Sequence, residues 1–151
     1  MRVTFLGATG TVTGSRYLIE HDRTCILIDC GLFQGNPEIR QRNWQASPFN
    51  PAALDAILLT HAHIDHSGAI PRLVRGGFKG PIYCSEATAD LCAILLPDSG
   101  RIQEDDAEMP TATAIPGTPR HYRYIPKPRR SLRLSSSDQW ALACRMTYPL
   151  S

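Results

Sequence analysis

The sequence changes character near residue 108, and this change limits how much of the chain can form a packed domain. Residues 1–108 carry 9 Lys and Arg against 13 Asp and Glu, whereas residues 109–151 carry 7 against 1. The second segment also holds six of the twelve prolines, and prolines this dense remove backbone donors and interrupt helices and central strands. No apolar period of 2 or 3.6 persists there. We therefore expect one folded domain over 1–108 and an irregular, disordered, basic and proline-rich tail over 109–151.

Residues 1–108 alternate between short β-rich runs and helical segments, which favours a layered α/β domain. The predicted strands cover residues 3–6, 16–20, 25–29, 56–59 and 82–84. The second and third of these are expected to form a hairpin. Helices are expected over 37–45, over 70–74 and after the N-capping Ser85. The last helix is expected to end before Pro97 and to bury four apolar side chains, those of Leu91, Ala93, Ile94 and Leu95.

The densest set of potential metal ligands lies in residues 60–68, directly after the fourth predicted strand. Alternate residues of an extended chain point the same way, so His61 and His63 share one face. If the chain then turns into a helix, Asp65 and His66 swing toward a neighbouring point. Two adjacent sets of nitrogen and oxygen donors suit a borderline ion such as Zn²⁺. The alternative is a helix cap with surface histidines, but three of the five histidines fall in this segment, which favours metal binding.

The segment His61-x-His63-x-Asp65-His66 resembles the HxHxDH signature of the metallo-β-lactamase fold. Three flanking segments narrow the resemblance: FLGATGTVTGS at 5–15, IDCGLFQG at 28–35 and DSGRIQEDDA at 98–107. Together they are similar, over about residues 2–108, to the β-CASP branch of RNA-processing nucleases. The resemblance implies a partial αββα sandwich, of which this chain holds the N-terminal half, followed by the irregular tail.

The resemblance also implies a role for each residue of the motif. His61 and His63 would hold one zinc ion, and Asp65 and His66 a second. Asp65 is further expected to orient the attacking water. Asp29 matches an acidic position beside the family's site that orients neighbouring groups, and its other interpretation is a turn-forming Asp before a glycine. The implied reaction is zinc-dependent hydrolysis of RNA phosphodiester bonds, for which two close metal ions are suited.

Only four donors of a two-zinc site are visible in the sequence, fewer than two ions need. In the family the others follow downstream, as two histidines and a bridging aspartate, with a further histidine that assists the leaving group. His121 is the one later histidine, and its Pro-Arg-His-Tyr context does not resemble those motifs. Restoring a single base after the codon of Glu108 permits a frame that resembles the family. We therefore hypothesise that 109–151 is an out-of-frame tail and that the chain is a truncated, inactive fragment.

Three other interpretations stay open. The same fold serves small-molecule hydrolases, so an ester or thioester substrate, as in glyoxalase-II-like enzymes, is one alternative. A second is a non-enzymatic remnant that folds poorly and binds at most one metal weakly, since a half-sandwich leaves an apolar sheet face and an edge uncovered. The third is an RNA-binding role for the cations of the tail, Lys127, Arg129, Arg130 and Arg133. A frameshift explains the same composition without such a role.

The remaining features predict a globular protein of the cytoplasm. No apolar run approaches the roughly 18 residues of a membrane span, and no secretory signal is evident. The five cysteines form no CxxC pair, so we expect free, buried thiols in a reducing compartment, with Cys30 beside the acidic motif the one of interest. Residues 7–14 lack phosphate-loop spacing and predict a strand connection. His21 and His121 are expected at the surface, and the sequence leaves the oligomeric state open.

Overall fold

The structure is a computed structural model that describes residues 1–108, 129–131 and 144–147. Its first 108 residues form a mixed sheet with helices, which confirms the predicted α/β class. The strands of this part are β1 (Arg2–Gly7), β2 (Arg16–His21), β3 (Thr24–Ile28), β4 (Ala56–Leu58) and β5 (Ile82–Cys84). They lie in chain order across the sheet, antiparallel from β1 to β3 and parallel from β3 to β5.

The predicted hairpin joins β2 to β3 through a two-residue turn. His21 pairs with Thr24, and Asp22 between them has a φ of 51°, a left-handed conformation that a short polar side chain tolerates. The strand connection predicted over residues 7–14 is present and covers residues 8–15, between β1 and β2. Parallel strands need crossover connections, and helices lie in both of the crossovers that follow, from β3 to β4 and from β4 to β5.

Two short strands come from the segment for which the sequence predicts no regular element. They are β6 (Arg129–Ser131) and β7 (Cys144–Thr147). Strand β7 lies antiparallel beside β5, and β6 lies antiparallel on the outer side of β7. Strands of three and four residues are too short to establish an alternating pattern in the sequence. The rest of the predicted tail, residues 109–128, 132–143 and 148–151, lies outside the described residues.

Residues 1–108 contain four α-helices, α1 (Pro37–Gln41), α2 (Ile64–Ser67), α3 (Ile70–Arg75) and α4 (Glu86–Glu108). Three of them begin where the sequence predicts, whereas α2 begins at Ile64 and ends at Ser67, the residue at which the sequence suggests that a helix starts. The side chain of Asn36 caps α1 by accepting from the Ile39 amide at 2.9 Å, and a 3-10 turn continues that helix. Helix α3 ends at Gly76, as predicted. Among the helices of the described residues, none combines the length and apolar character that a bilayer crossing requires.

The predicted buried face of α4 is wrong. Leu91 and Ile94 are 53% and 70% exposed, Ala93 is exposed and Leu95 is half-buried. The helix instead buries Ala89, Cys92 and Leu96, which recur at the spacing of three and four residues that defines one helical face. Pro97 lies inside the helix rather than after its end. The sequence argument selected the most hydrophobic run, whereas the buried face is set by which side chains contact the rest of the core.

The sheet has one covered face and one open face. Leu18, Leu27, Ile57 and Ile82 lie side by side in register on the covered face and are 0–6% exposed, beneath α3 and α4. The opposite face carries a second apolar row, in register across five strands: Phe5, Tyr17, Ile28, Leu58 and Tyr83. Phe5 is 63% exposed and Leu58 is 40% exposed. An apolar open face is what the sequence leads us to expect of one layer of a sandwich.

Candidate metal centre

The candidate ligands lie at the edge of the sheet where the parallel strands β3 and β4 end. Asp29 directly follows β3, and residues 59–63 lead from β4 into α2. The amide of Asp29 donates to the Leu58 carbonyl at 2.9 Å, which holds the two strand ends side by side. Because parallel strands end at the same edge of a sheet, this topology brings Asp29 to a loop that follows it by some thirty residues.

The Asp29 side chain is the buried anchor of this edge. It is 2% exposed, and its φ of 56° lies in the left-handed region, which costs roughly 1–2 kcal/mol outside glycine and less for Asp. Its Oδ1 accepts from the Thr60 amide at 2.9 Å. Its Oδ2 accepts from Ser15 Oγ at 3.0 Å and lies 2.7 Å from His66 Nδ1. Asp29 thus shapes the turn with its backbone and holds three neighbouring residues with its carboxylate.

Three histidine rings lie beside this anchor. The ring centroid of His61 is 4.7 Å from that of His63 and 4.0 Å from that of His66. The structure therefore brings His61 and His63 together as predicted, although β4 ends at Leu58 and both histidines follow it in an irregular segment. His61 and His66 are half-buried and His63 is exposed. This exposure leaves the cluster open to solvent and to a ligand on one side.

Asp65 and His66 lie in the short helix α2 and form the second predicted pair. His66 directs Nδ1 to Asp29, and its Nε2 lies 3.6 Å from Asp65 Oδ2. Two ligands of one tetrahedral zinc ion, each bonded at roughly 2.0–2.2 Å, lie about 3.3–3.6 Å apart. Across the described residues, no three His, Cys, Asp or Glu side chains are placed to share one ion. The residues thus fit zinc in their chemistry and in the spacing of this pair, with positions left for further ligands.

Backbone hydrogen bonds lock the loop after β3 against α2. The Cys30 amide donates to the His66 carbonyl at 2.6 Å, and the Ser15 amide donates to the Asp65 carbonyl at 2.9 Å. A Cβ at Gly31 would overlap the Asp65 carbonyl, so only glycine permits this approach. The position of the Asp65–His66 pair is therefore fixed by its backbone as well as by its side chains.

Comparison with known proteins identifies the family. Residues 9–131 match the Metallo-beta-lactamase superfamily. The chain belongs to this superfamily. Its HxHxDH segment lies inside the matched range, at the sheet edge described above.

The present chain matches only a small part of the length of similar curated proteins. Ribonuclease TTHA0252 of Thermus thermophilus is 43% identical over 105 residues, which are 70% of this chain and 24% of the relative. Transcription termination factor FttA of Methanocaldococcus jannaschii is 40% identical over 98 residues, 65% of this chain and 16% of the relative. The solved short form of human tRNase Z is 28% identical with a TM-score of 0.42, covering 61% of this chain and 38% of that one. The chain spans about a quarter or less of these two curated relatives.

Sequence reasoning missed two residues of this candidate site. Ser15 and Thr60 both contact the Asp29 carboxylate, and neither is a predicted site residue. Thr60 immediately precedes the first histidine of the motif, and its hydroxyl lies 3.0 Å from His61 Nδ1. The only sequence signal for either residue is a hydroxyl beside a motif, which is too common to single out a position.

Cys30 has a structural place in this member of the superfamily. It is fully buried, and burial raises the pKa of its thiol to about 11. A thiol with so high a pKa stays protonated near neutral pH and makes a poor metal ligand or nucleophile. The expectation of a buried, free cysteine is confirmed for Cys30, and Cys25 and Cys92 are free as well.

Proposed function

We propose that the chain carries the first half of a zinc-dependent hydrolase site that acts on RNA phosphodiester bonds, in the β-CASP branch of its superfamily. The relatives named as a ribonuclease and as a transcription termination factor both act in RNA metabolism by name, which supports RNA over a small-molecule ester. The acidic segment at 98–107 resembles the same branch. Zinc, when bound, acts as a Lewis acid, lowers the pKa of a water molecule and offsets charge on phosphate oxygens.

The observation that carries this proposal is the arrangement of His66 between two carboxylates. A metal-binding histidine donates one ring N–H to an outer carboxylate and keeps the other nitrogen for the ion. His66 has this arrangement, with Asp29 2.7 Å from Nδ1 and Asp65 3.6 Å from Nε2. A histidine in a surface helix turn does not require a buried carboxylate beside its ring, yet the Asp29 residue that contacts His66 is only 2% exposed.

Each residue then has a defined task. His61 and His63 hold one ion, and Asp65 and His66 hold the other. Asp65 also orients the attacking water through its carboxylate. Asp29 does not touch the ion; it keeps the His66 ring in place and its Nε2 free.

The number of donors limits what this chain does by itself. Four side chains supply two donors to each ion, whereas zinc in proteins takes three or four protein ligands. We therefore propose weak binding, with fewer than two tightly held ions per chain, and slow or no cleavage of RNA. Free thiols among the described cysteines fit a reducing compartment, and we propose the cytoplasm as its location.

Zinc binding is the direct test. The purified, metal-free chain is titrated with Zn²⁺ against a chromophoric chelator, beside Asp65→Asn and His66→Ala and a control, His21→Ala, whose side chain is 64% exposed in the β2–β3 hairpin. We expect measurable binding that either site variant weakens at least tenfold and that the control leaves unchanged. Equal affinities in all four proteins contradict the proposal.

The substrate class needs a second assay. A labelled single-stranded RNA and a glutathione thioester are each incubated with the zinc-loaded chain and with His63→Ala, because His63 is exposed and its loss should disturb packing least. Cleavage of RNA above the variant's background supports the RNA assignment. Turnover of the thioester alone overturns it in favour of the small-molecule alternative. Rapid RNA turnover with two zinc ions per chain contradicts the proposed weak zinc binding and slow cleavage.

A further inference from the structure

The hydroxyl of Thr60 lies at the centre of the hydrogen bonds behind the histidines. Its Oγ1 is 2.9 Å from Asp29 Oδ1, 3.0 Å from Asp29 Oδ2 and 3.0 Å from His61 Nδ1. It also lies 3.4 Å from His66 Nδ1. The amide of the same residue donates to Asp29 Oδ1 at 2.9 Å. Among the described residues, no hydrogen bond joins the Asp29 carboxylate directly to the His61 ring, whereas the Thr60 hydroxyl contacts both.

Counting protons assigns a direction to each of these hydrogen bonds. An ionised carboxylate only accepts, so His66 must donate its Nδ1–H to Asp29 across 2.7 Å. The Thr60 hydroxyl has one proton, and the same carboxylate takes it. Its lone pairs then remain to accept Nδ1–H from His61. When both rings are neutral, this pattern of donors and acceptors places the proton of each ring on Nδ1 and leaves a lone pair on each Nε2.

We propose that Thr60 is a positioning residue, which passes the orientation of Asp29 on to the His61 ring. One buried carboxylate then fixes two histidines, His66 directly and His61 through a hydroxyl. In the proposed function these two residues belong to different zinc positions. Thr60 therefore couples the two halves of the centre to a single anchor, and the inference rests on that proposed function where zinc is concerned.

A role in packing alone is a poor explanation for Thr60. The residue is exposed, so its methyl group contributes little to the core. The hydrogen bond from its backbone amide to Asp29 does not depend on the side chain and would persist in any substitution except proline. Valine has nearly the same shape as threonine and lacks only the hydroxyl. Thr60→Val therefore removes the hydroxyl that links Asp29 to His61 and leaves the backbone and the shape of the side chain in place.

The test reads the ring protons of the metal-free chain and zinc affinity separately. The chain is labelled with ¹⁵N-histidine, and ring nitrogens are assigned with single histidine variants. We expect Nδ1–H on both His61 and His66 in the parent. In Thr60→Val we expect His61 to lose that preference while His66 keeps it, and Thr60→Ser to restore the parent spectrum. A defect of folding would disturb both rings, so the difference between them is the specific signature.

Zinc titration supplies the second readout. By comparison with other outer hydrogen-bond partners of metal ligands, Thr60→Val should weaken binding roughly 10-fold or more, with rescue in Thr60→Ser. Thr24→Val, at the opposite end of β3, is the control and should bind as the parent does. If His61 carries its proton on Nε2 in the parent, or keeps Nδ1–H in Thr60→Val, the proposed positioning of His61 by Thr60 is refuted. A parent that binds no zinc refutes the proposed function, while the ring spectra still decide the role of Thr60.

Discussion

Replacing the Asp29 carboxylate by an amide is the sharpest perturbation that this site offers. Asp29→Asn keeps the shape, the tolerance of a left-handed backbone and one oxygen to accept from the Thr60 amide. It places an NH₂ group where Oδ2 now meets Ser15 and His66. Ser15 can accept instead of donate, since a hydroxyl does both. His66 with its proton on Nδ1 cannot, because that N–H would face another donor at 2.7 Å.

The expected cost follows from that one broken contact. A hydrogen bond to a charged group contributes about 1.5–3 kcal/mol, and the 25% exposure of the His66 side chain lets water or a change of ring tautomer recover part of it. We expect the free energy of unfolding of the metal-free chain to fall by about 1–2.5 kcal/mol. Urea unfolding followed by circular dichroism measures it. Zinc affinity should fall by roughly 10- to 100-fold in the same protein, because the ring no longer presents a free Nε2.

A matched control exists in the β2–β3 hairpin. Asp22 also has a positive φ, of 51°, but its side chain is 87% exposed. Asp22→Asn should change the unfolding free energy by less than about 0.5 kcal/mol. If Asp29→Asn is as mild as this control and binds zinc like the parent, the carboxylate is not the anchor we infer.

Three further predictions concern the scaffold. Gly31→Ala should destabilise the chain by about 1–3 kcal/mol in urea unfolding, since its Cβ overlaps a backbone carbonyl of α2. A loss below about 0.5 kcal/mol, the range of an ordinary surface substitution, would contradict the close approach. Phe5→Ser with Leu58→Ser should lower binding of an apolar dye and aggregation measured by light scattering, because both side chains are exposed on the open sheet face; unchanged dye binding would place the apolar surface elsewhere. Burial raises the pKa of the Cys30 and Cys92 thiols to about 11. Above about pH 9 these thiols therefore lose their protons in the unfolded chain but keep them in the folded chain. The free energy of unfolding should consequently fall as the pH rises from about 9 to 11. Cys30→Ala and Cys92→Ala should each flatten that decline, and an unaltered slope would exclude these thiols as its source.

The five strands of the first 108 residues are predictable from local signals to within one residue at either end. Each is a β-rich run closed by glycine, by a turn or by an irregular loop, and the two crossovers carry visible helix caps. The open sheet face is predictable for a different reason. Side chains on both faces of these strands are apolar, which implies two packing layers, whereas the helices among the described residues cover one face.

Helix α4 shows where local signals fail. Leu91 and Ile94 are the most hydrophobic residues of its first turns and yet are 53% and 70% exposed. The packed face is chosen by what lies opposite, and there Cys92 meets the buried Ser67 of α2, whose hydroxyl donates to the Ala62 carbonyl at 2.8 Å. A small residue was needed at that contact. No property of the α4 sequence alone identifies it, because the partner lies 25 positions earlier.

The candidate site likewise has one part that local sequence signals reveal and another part that they do not. The HxHxDH segment is recognisable because its ligands are neighbours in sequence. The hydrogen bonds that orient these ligands are not recognisable, because they join residues that are far apart in sequence. His66 and Asp29 are 37 positions apart, Thr60 and Asp29 are 31 apart, and Ser15 and Asp29 are 14 apart. The contacts of Asp29 with His66 and Thr60 follow from parallel pairing of β3 with β4, and its contact with Ser15 follows from antiparallel pairing of β2 with β3. A sequence pattern suggests such pairing only as a class of fold. The hypothesis of an out-of-frame tail stays a prediction, to be decided by the coding DNA.

The geometry around His66 also explains why this edge should attract a cation. Two carboxylates flank the ring, with Asp29 Oδ2 2.7 Å from Nδ1 and Asp65 Oδ2 3.6 Å from Nε2. The backbone holds this arrangement in place, because the Asp65 and His66 carbonyls accept from the Ser15 and Cys30 amides. A cation held by Nε2 and by Asp65 would meet two ligand atoms already about as far apart as two ligands of one zinc ion, so we expect its binding to need little movement of the backbone.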